Sequence, residues 1–533
     1  MKRAKFLAPV LLLILLFVIA ACGSRPQDTP IEETLTEEIA EDTQGDEMLE
    51  VSEVEATAEV ISITFDDILA TANLRRQNTF EPDMDRVHAL IYGRDPSVIE
   101  WERLFYAPRA HAISTEEAIE DVMILFDLLK HWYAAYNYFG GDEVFLPLRD
   151  SILDSLSEME RVVTAMLSMQ LQEALAQVIA DNHFVFNGVT IGVRNHRFVW
   201  ETPFDKTENG FVHRDTGRLL VNIEGHSIDE VFRLAANEYG EFFYLPVFLR
   251  DEEYGGIYAV TFIFENGDQE RIIMNDSWMG FAQSPIPTLE FTDSIPVVTM
   301  RGNMPFPAAT SWDESFYLNP DYGQLFLSFA EELQDEDVII IDIRTNLGGS
   351  GELGRIWFYM LTGNIIPGGH VGIYTHGITP PNAMESLPKH WYQYFNPLDE
   401  TIEYFDAWAE IFDQFSQIDD YHTMDFVHAT PGFSNDTLLI LLIDRFSSSA
   451  AEFFTSHVLN MENTLVIGQN TGGVLLTSGF HSLHLPNSGL PVVMGPSFFM
   501  HPENQWQEGI GYAPDIWVIG DALTAALAIA NNR

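Results

Sequence analysis

The sequence predicts an α/β protein whose carboxy-terminal half contains a parallel sheet. Three nearly continuous apolar runs, "DVIIIDIR", "TLLILLID" and "NTLVIGQ", are typical of strands that are buried on both faces. Helical patterns follow the first two runs, as "ELGRIWFYMLTG" and "SAAEFF". This alternation of strands and helices indicates a doubly wound or related parallel sheet.

The 533 residues are enough for two or three domains with sizeable cores. We predict a helical domain over residues 63–183, a degenerate PDZ-like domain rich in strands over 184–280, and the α/β core over 281–533. In the helical part, "STEEAIEDVMILFDLLKHWYAAY" opens with a capping box from Ser114 to Glu117.

The middle region is predicted from short strands and turns. "YAVTFIFENGDQERIIM" has the pattern of a hairpin with Asn266 and Gly267 at its turn. The order of elements in this region resembles a PDZ domain. A generic β-rich domain explains the same pattern equally well.

The net charge of the chain argues against two kinds of partner. It has 27 basic and 80 acidic residues, for a net charge of -53. Nucleic acid binding requires a basic face, so we expect no nucleic acid partner. A polybasic attachment to anionic lipid is excluded on the same ground.

The amino terminus has the pattern of a secretory signal peptide over residues 1–22. "MKRAKFLAPVLLLILLFVIAACGS" joins a basic start to an apolar stretch and small residues before Cys22. The ending "IAAC" resembles the lipobox of bacterial lipoproteins, which implies lipidation of Cys22 and an extracytoplasmic location at the cell membrane. A plain membrane anchor or a simple secretory signal are the alternatives. The acidic residues 23–62 predict a solvated, disordered tether.

No cofactor or metal is expected. Cys22 is the only cysteine, so internal disulfides and a thiolate metal site are excluded. "GSGELG" fits the dinucleotide pattern G-x-G-x-x-G, but that pattern expects an acidic residue about 20 positions later. Residues 355–384 contain none. No HExxH motif and no acidic metal-binding loop occur.

Three consecutive serines separate the second apolar run from its helix. Ser449 and Glu452 form the pattern S-x-x-E, which predicts a helix cap. A serine at this junction would also suit a nucleophile, because helix amides stabilise a developing negative charge. Serine is a poor nucleophile without a base, so the choice depends on finding one.

Three segments carry a resemblance to a known family. "DRFSSSAAEFF", "IIIDIRTNLGGSGEL" and "VIGQNTGG" resemble the tail-specific, or carboxy-terminal-processing, serine peptidases. The resemblance implies a peptidase core of the ClpP/crotonase-like fold with Ser449 as nucleophile. The backbone N–H of Ala450, with that of Gly348 or Gly349, is the candidate oxyanion hole.

The family has two branches, and the sequence departs from the better known one. That branch uses a Ser/Lys dyad, but the lysine position is Val474 here. The other branch, similar to the core of tricorn protease, uses Ser, His and Glu. "VIADNHFVF" supplies His183 as general base, and "QEGIGYAPDIWV" supplies Glu508 to orient the imidazole, directly or through a hydroxyl.

Other interpretations stay open at this point. His183 alone is more typical of a packed core residue, and three histidines lie nearer to Ser449 along the chain: His457, His481 and His484. The function predicted is a membrane-anchored serine endopeptidase acting on proteins or peptides, with carboxy-terminal tails implied by the resemblance. The alternative is an inactive relative that binds a ligand or peptide, with the aromatic insertion at 378–435 lining its pocket. A surface scaffold is the third interpretation.

Overall fold

A computed structural model describes a large part of the chain. The described residues all belong to one compact unit, Ala58–Arg533. They are residues 59–76, 83–95, 98–105, 107–193, 195–251, 256–276, 286–302, 304, 320–364, 366, 371–374, 423–424, 435–478, 481–501 and 506–533. The predicted signal peptide, Cys22, nearly all of the tether and most of the insertion at 378–435 lie outside them.

The helices within the described residues follow the chain from the amino-terminal side of the unit to its end. They are α1 (Phe65–Arg76), α2 (Met84–Ile91), α3 (Thr115–His131), α4 (Gly141–Leu156), α5 (Thr164–Ala176), α6 (Ile228–Val231), α7 (Pro320–Glu332), α8 (Gly351–Thr362), α9 (Ala450–Val458) and α10 (Ala522–Asn532). A short 3₁₀ turn covers Trp101–Arg103.

The described strands of the first half are β1 (Ala112–Ser114), β2 (Arg161–Val163), β3 (Val185–Phe186), β4 (Val189–Thr190), β5 (Asn195–Val199), β6 (Phe204–Thr207), β7 (Gly210–His213), β8 (Leu220–Ile223), β9 (Phe232–Ala236), β10 (Phe242–Asp251), β11 (Ile257–Phe264) and β12 (Gln269–Asn275). Those of the second half are β13 (Thr288–Thr292), β14 (Ile295–Thr299), β15 (Val338–Asp342), β16 (Val371–Tyr374), β17 (Thr423–Met424), β18 (Leu438–Ile443), β19 (Thr464–Gly468), β20 (Thr477–Ser478), β21 (His481–His484), β22 (Pro491–Met494), β23 (Ser497–Met500) and β24 (Ile516–Trp517).

The main sheet confirms the α/β fold class. Its order is β13-β14-β15-β18-β19-β24-β9-β10-β6-β7, with β5 paired to β10. Neighbours from β14 to β9 run parallel. The three apolar runs of the sequence form β15, β18 and β19, side by side at its centre.

Both faces of this sheet are covered, which explains the continuous apolar runs. Ile339 and Ile341 of β15 point to one face, where α7, α8 and α9 pack. Ile340 points to the other face, against α1 and α10. Full burial of one such side chain contributes about 1.5–3 kcal/mol, so a polar residue in these strands would be costly. The sheet is therefore a rigid platform for the loops at its carboxyl edge.

The capping box predicted in the helical region is confirmed, but a helix predicted further along the chain is interrupted. Ser114 and Glu117 form the expected capping box at the start of α3. The pattern "DSLSEMERVVTAMLSMQLQEALAQVI" is helical along most of its length, but a strand interrupts it. The interruption, β2, pairs with β1, because Val162 and Val163 suit a pleated surface.

The β-rich region contains the predicted hairpin. β11 and β12 pair antiparallel, and Gly267 has a φ of 86° at the turn. Strands β5, β6, β7, β9 and β10 continue the main sheet, which they join where Ala235 pairs with Trp517. The domain boundaries and the PDZ-like character stay predictions.

None of the helices in the described ranges is long and apolar enough to cross a bilayer.

Candidate active site

Ser449 occupies a strained turn between β18 and α9. It has φ 56° and ψ -116°, whereas a helix-capping residue ordinarily has extended backbone angles. Such a conformation is costly for a residue with a side chain, and it persists where the surrounding structure enforces it. Ser449 thus lies beyond the carboxyl end of β18, at the edge of the sheet. The predicted capping box with Glu452 is present, so Ser449 caps α9 from an unusual backbone conformation, and its role as nucleophile stays a prediction.

The two serines before Ser449 connect the turn to the glycine loop. Ser447 is fully buried, and its hydroxyl donates to the Ile343 carbonyl at 3.0 Å. The Ser448 backbone N–H donates to the Asn346 carbonyl at 2.9 Å. Both contacts tie the turn to the glycine loop that follows β15. Ser447 and the Ser448 backbone therefore stabilise the turn in which Ser449 sits.

The structure brings His183 to Ser449. His183 lies on the loop between α5 and β3, 266 positions away in the chain, and its Nε2 is 3.0 Å from Ser449 Oγ. This is hydrogen-bond distance, and it places the imidazole where a general base must be. Of the histidines nearer in the chain, His457 lies fully buried in α9 against Phe453.

The environment of His183 keeps its imidazole neutral near pH 7. Burial lowers the pKa of His183 below its ordinary value. The Asp181 carboxylate and the backbone of Thr477 act in the opposite direction, because both favour the protonated ring. The neutral ring can therefore accept a proton from Ser449, and the Asp181 carboxylate and the Thr477 backbone stabilise the protonated form.

Glu508 lies near the loop that carries His183. Its Oε1 accepts the Asn182 backbone N–H at 2.7 Å, and its Oε2 accepts the Leu476 N–H at 3.1 Å. Burial, reinforced by the nearby carboxylates of Asp181 and Glu452, raises its pKa well above the usual range. Its predicted role in orienting the imidazole stays a prediction.

Asp181 is a second buried carboxylate beside the histidine. Its Oδ1 accepts the His183 backbone N–H at 2.9 Å. Its Oδ2 accepts the hydroxyls of Tyr133 at 2.8 Å and Thr477 at 2.7 Å. The sequence contains this residue in the motif "DNH", but the motif alone indicated no role for its side chain. Nothing in the sequence around Tyr133 or Thr477 indicated a role for either residue at the site.

The glycine loop lies directly against Ser449. A Cβ on Gly348 would be 2.6 Å from the Ser449 Cβ, and its φ is 102°. The Gly348 N–H donates to Asn346 Oδ1 at 2.9 Å. The Ala450 N–H opens the first turn of α9, where backbone donors lack a partner within the helix. Gly348 and the start of α9 thus lie beside the nucleophile, but the Gly348 N–H is already bound to Asn346 and Gly349 packs against Met304. The oxyanion role of Ala450, Gly348 and Gly349 stays a prediction.

The lysine position of the Ser/Lys branch is occupied by Val474, whose backbone N–H donates to Glu452 at 2.6 Å. Within the described part of the chain, no group of three or more His, Cys, Asp or Glu residues could hold a metal ion.

Part of the chain is similar to a known family of peptidases. Residues 310–518 match the family described as Peptidase family S41. The match includes Ser449, Glu508 and the glycine loop, whereas His183 precedes it. The resemblance to tail-specific serine peptidases is thereby confirmed. No curated protein matches the chain significantly.

Several solved structures are similar at low sequence identity. Mature CPAF complexed with lactacystin is 15% identical, with a TM-score of 0.41, over 79% of this chain and 99% of its own. The photosystem II D1 C-terminal processing protease is 12% identical, with a TM-score of 0.33, over 76% and 94%. Tricorn protease is 13% identical, with a TM-score of 0.29, over 78% and 36%.

Proposed function

We propose that this protein is a membrane-anchored, extracytoplasmic serine endopeptidase that uses Ser449 as nucleophile and His183 as general base. The observation that carries the proposal is the 3.0 Å separation between His183 Nε2 and Ser449 Oγ. Two residues far apart in the chain meet in the geometry that activates a serine. The strained backbone of Ser449 supports the same conclusion.

The reaction would follow acyl-enzyme chemistry. His183 accepts the Ser449 hydroxyl proton as Oγ attacks the scissile carbonyl carbon. The resulting oxyanion is stabilised by backbone N–H groups around the turn, with Ala450 and the glycine loop as candidates. The imidazolium then donates its proton to the leaving amine. A water molecule, activated by the same imidazole, hydrolyses the acyl-enzyme.

The cellular location is proposed from the amino-terminal sequence. The signal-like residues 1–22 end in the lipobox-like "IAAC", so Cys22 would carry the lipid. The acidic stretch at 23–62 would hold the catalytic unit away from the membrane surface. A lipid-anchored enzyme of this kind would act on proteins or peptides outside the cytoplasm.

The PDZ-like region is proposed to capture substrate. The hairpin of β11 and β12 and the short strand β8 form a three-stranded sheet beside the main one. A peptide tail could add to an edge of this sheet by β-augmentation, with main-chain hydrogen bonds supplying the affinity. Carboxy-terminal tails are the substrate class that the family resemblance implies.

Labelling of the purified full-length protein with a fluorophosphonate probe tests the catalytic proposal. We expect labelling of the parent and none of the Ser449→Ala variant. The His183→Ala variant should label at least about 100-fold more slowly, since general-base catalysis contributes about 10²–10⁴-fold. Ser448→Ala removes an adjacent hydroxyl and should label like the parent. Absence of labelling in the folded parent would support the ligand-binding alternative instead.

A further inference from the structure

The residue before the histidine holds its loop to three other parts of the chain. Asn182 immediately precedes His183, and its backbone N–H donates to Glu508 Oε1 at 2.7 Å. Its side-chain Nδ2 donates to the carbonyl oxygens of Val193 and Gly473, each at 2.9 Å. Gly473 is 291 positions away in the chain. Asn182 therefore joins the histidine loop to the loop that follows β19.

Gly473 is the point at which several of these contacts meet. Its backbone N–H donates to Glu452 Oε1 at 2.9 Å. Its carbonyl accepts the Gly509 N–H at 2.7 Å in addition to Asn182 Nδ2. Gly473 has a φ of 72°, and a Cβ at this position would lie 2.4 Å from the Gly509 nitrogen. The close approach requires glycine here, and it fixes both peptide groups of the residue in place.

Hydrogen bonds connect the nucleophile to the base by a second path, apart from the contact between their side chains. The Glu452 carboxylate, which binds Gly473 through one oxygen, accepts the Ser449 backbone N–H at 3.0 Å through the other. The path thus runs from Ser449 through Glu452 and Gly473 to Asn182, the neighbour of His183. Because hydrogen bonds tolerate only a narrow range of lengths, this path limits how far the two backbones can separate.

The space around the Asn182 side chain suits an asparagine closely. A Cβ on Gly192 would lie 2.0 Å from Asn182 Oδ1, although the backbone of Gly192 is outside the left-handed region. Gly192 is adjacent to Val193, so the close contact and one carbonyl partner belong to the same segment. An aspartate would have the same shape, but it would turn a carboxylate oxygen towards two carbonyl oxygens. The position therefore depends on the two N–H donors of the amide.

We propose that Asn182 is a positioning residue that sets the distance between His183 Nε2 and Ser449 Oγ by holding the histidine loop to Gly473. Asn182 touches neither the reacting atoms nor the substrate, and it acts through His183. A displacement of about 1 Å in a catalytic group can slow a reaction about 100-fold. This inference rests on the proposed function, in which His183 accepts the Ser449 proton.

Labelling of the full-length protein with a fluorophosphonate probe, together with thermal unfolding, tests the proposal. We expect Asn182→Ala and Asn182→Asp to label about 10–100-fold more slowly than the parent. Asn137→Ala, in the helical region, is the matched control. The Asn137 amide also donates to carbonyl oxygens of a distant segment, at residues 89, 90 and 92, each at 3.0 Å. This variant should lower Tm by a similar amount and label at the parental rate.

Two outcomes of this comparison overturn the proposal. One is labelling of the folded Asn182 variants within about twofold of the parent. The other is an equal slowing in Asn137→Ala, which would show that loss of stability alone explains the effect. Turnover of a peptide substrate gives a further criterion: Asn182→Ala should lower kcat and leave KM within about twofold, because the residue does not contact substrate. A raised KM with an unchanged kcat contradicts the positioning role.

A second measurement does not depend on activity. The Cε1–H resonance of His183, identified by its loss in His183→Ala, reports the surroundings of the imidazole at a fixed pH. We expect Asn182→Ala to shift or broaden this resonance and Asn137→Ala to leave it unchanged. An unchanged resonance in folded Asn182→Ala refutes the proposal. A parent that fails to label would refute the proposed function instead, and the NMR comparison would still decide whether Asn182 holds the histidine loop.

Gly192→Ala covers the case in which the Asn182 variants do not fold. Its methyl group would push the Asn182 amide away from the two carbonyl oxygens while residue 182 is retained. Gly520→Ala is the control, because nothing lies within 4 Å of its Cβ position and its backbone is also outside the left-handed region. We expect slower labelling in Gly192→Ala alone. Equal labelling rates in the two folded glycine variants contradict the proposal.

Discussion

The carboxylate of Glu452 lies fully buried under the nucleophile turn and accepts the backbone N–H of Ser449 at 3.0 Å. Four further donors share the same carboxylate: the Thr471 hydroxyl, the backbone N–H groups of Gly473 and Val474, and the Trp506 indole. One side chain therefore ties the turn at Ser449 to the loop after β19 and to the segment that precedes Glu508.

Replacement of Glu452 by glutamine should destabilise the protein and slow labelling of Ser449. One oxygen accepts three donors and the other two, so an amide NH₂ would face at least two of these groups in either orientation. Each buried group left without its partner costs about 1–3 kcal/mol, so we expect a loss of at least about 2 kcal/mol in urea unfolding. Glu173→Gln, exposed on α5, is the control and should unfold like the parent. Equal stability of the two variants would contradict this account.

Gly348→Ala should abolish most activity, because the added Cβ would be 2.6 Å from the Ser449 Cβ. A shift of the nucleophile by about 1 Å can cost about 100-fold in rate. Gly363→Ala is a matched control: its φ of 68° is also left-handed, but nothing lies within 4 Å of its Cβ position. That variant should lose about 1–2 kcal/mol of stability and keep its labelling rate. Similar labelling rates in the two variants would exclude a tight fit at Gly348.

Patterns in the sequence predicted those strands whose composition follows directly from their burial. The strands β15, β18 and β19 are apolar throughout because both faces are buried, and this is visible in sequence. The continuation of the main sheet into the β-rich region was not visible. It depends on the pairing of Ala235 with Trp517, and pairing between distant strands leaves no periodic signal.

The candidate site also has residues that the sequence predicted and residues that it did not. The turn at Ser449 and the glycine loop were recognisable from motifs, and the resemblance pointed to His183 and Glu508. The hydroxyl donors Tyr133 and Thr477 could not be predicted, since their contacts with Asp181 exist only after the chain has folded. Tyr133 lies between Trp132 and Ala134 in the chain, as an ordinary core residue would, and Thr477 follows Leu476.

The pH dependence of kcat/KM should show an acid limb that reports His183. Burial lowers the pKa of this imidazole, so the limb should have an apparent pKa below the ordinary value of about 6.5. Activity should rise as the pH increases through this limb, because only the neutral ring accepts the Ser449 proton. His226→Gln, in the β-rich region, serves as the control and should keep the same limb. A limb above 6.5 in the parent would contradict the effect of burial.

Glu508→Gln should change how stability depends on pH. The pKa of Glu508 is raised in the folded state, first by burial, so the folded protein binds this proton more tightly than the unfolded chain. Its contribution to stability is present below the unfolded pKa and is lost as the pH rises. The free energy of unfolding of the parent, relative to that of the variant, should therefore fall between pH 5 and pH 8. A difference that rises with pH would show that Glu508 is ionised in the native state.

Asp276 connects the β-rich region to the nucleophile turn and should be needed for both stability and rate. It accepts the Arg445 guanidinium at 2.9 Å, His196 Nδ1 at 2.9 Å and the Arg197 N–H at 2.8 Å. Burial opposes its ionisation, but the hydrogen bonds from His196, the Arg197 N–H and Arg445 lower its pKa overall. Its contribution to stability is therefore present at neutral pH and is lost as the pH falls.

Asp276→Asn should cost about 1–2 kcal/mol at pH 7, because the charge-assisted bond to Arg445 is lost. The loss should shrink as the pH falls, since Asp276 would then be protonated in the parent as well. Labelling of Ser449 should slow at the same time, because Arg445 is part of the turn between β18 and α9. Asp215→Asn, at an exposed turn, is the matched control. Urea unfolding at pH 7 and at a pH well below the ordinary aspartate pKa of about 3.9, with probe labelling at pH 7, measures both effects. Slower labelling with unchanged stability would indicate that Asp276 acts on the turn alone.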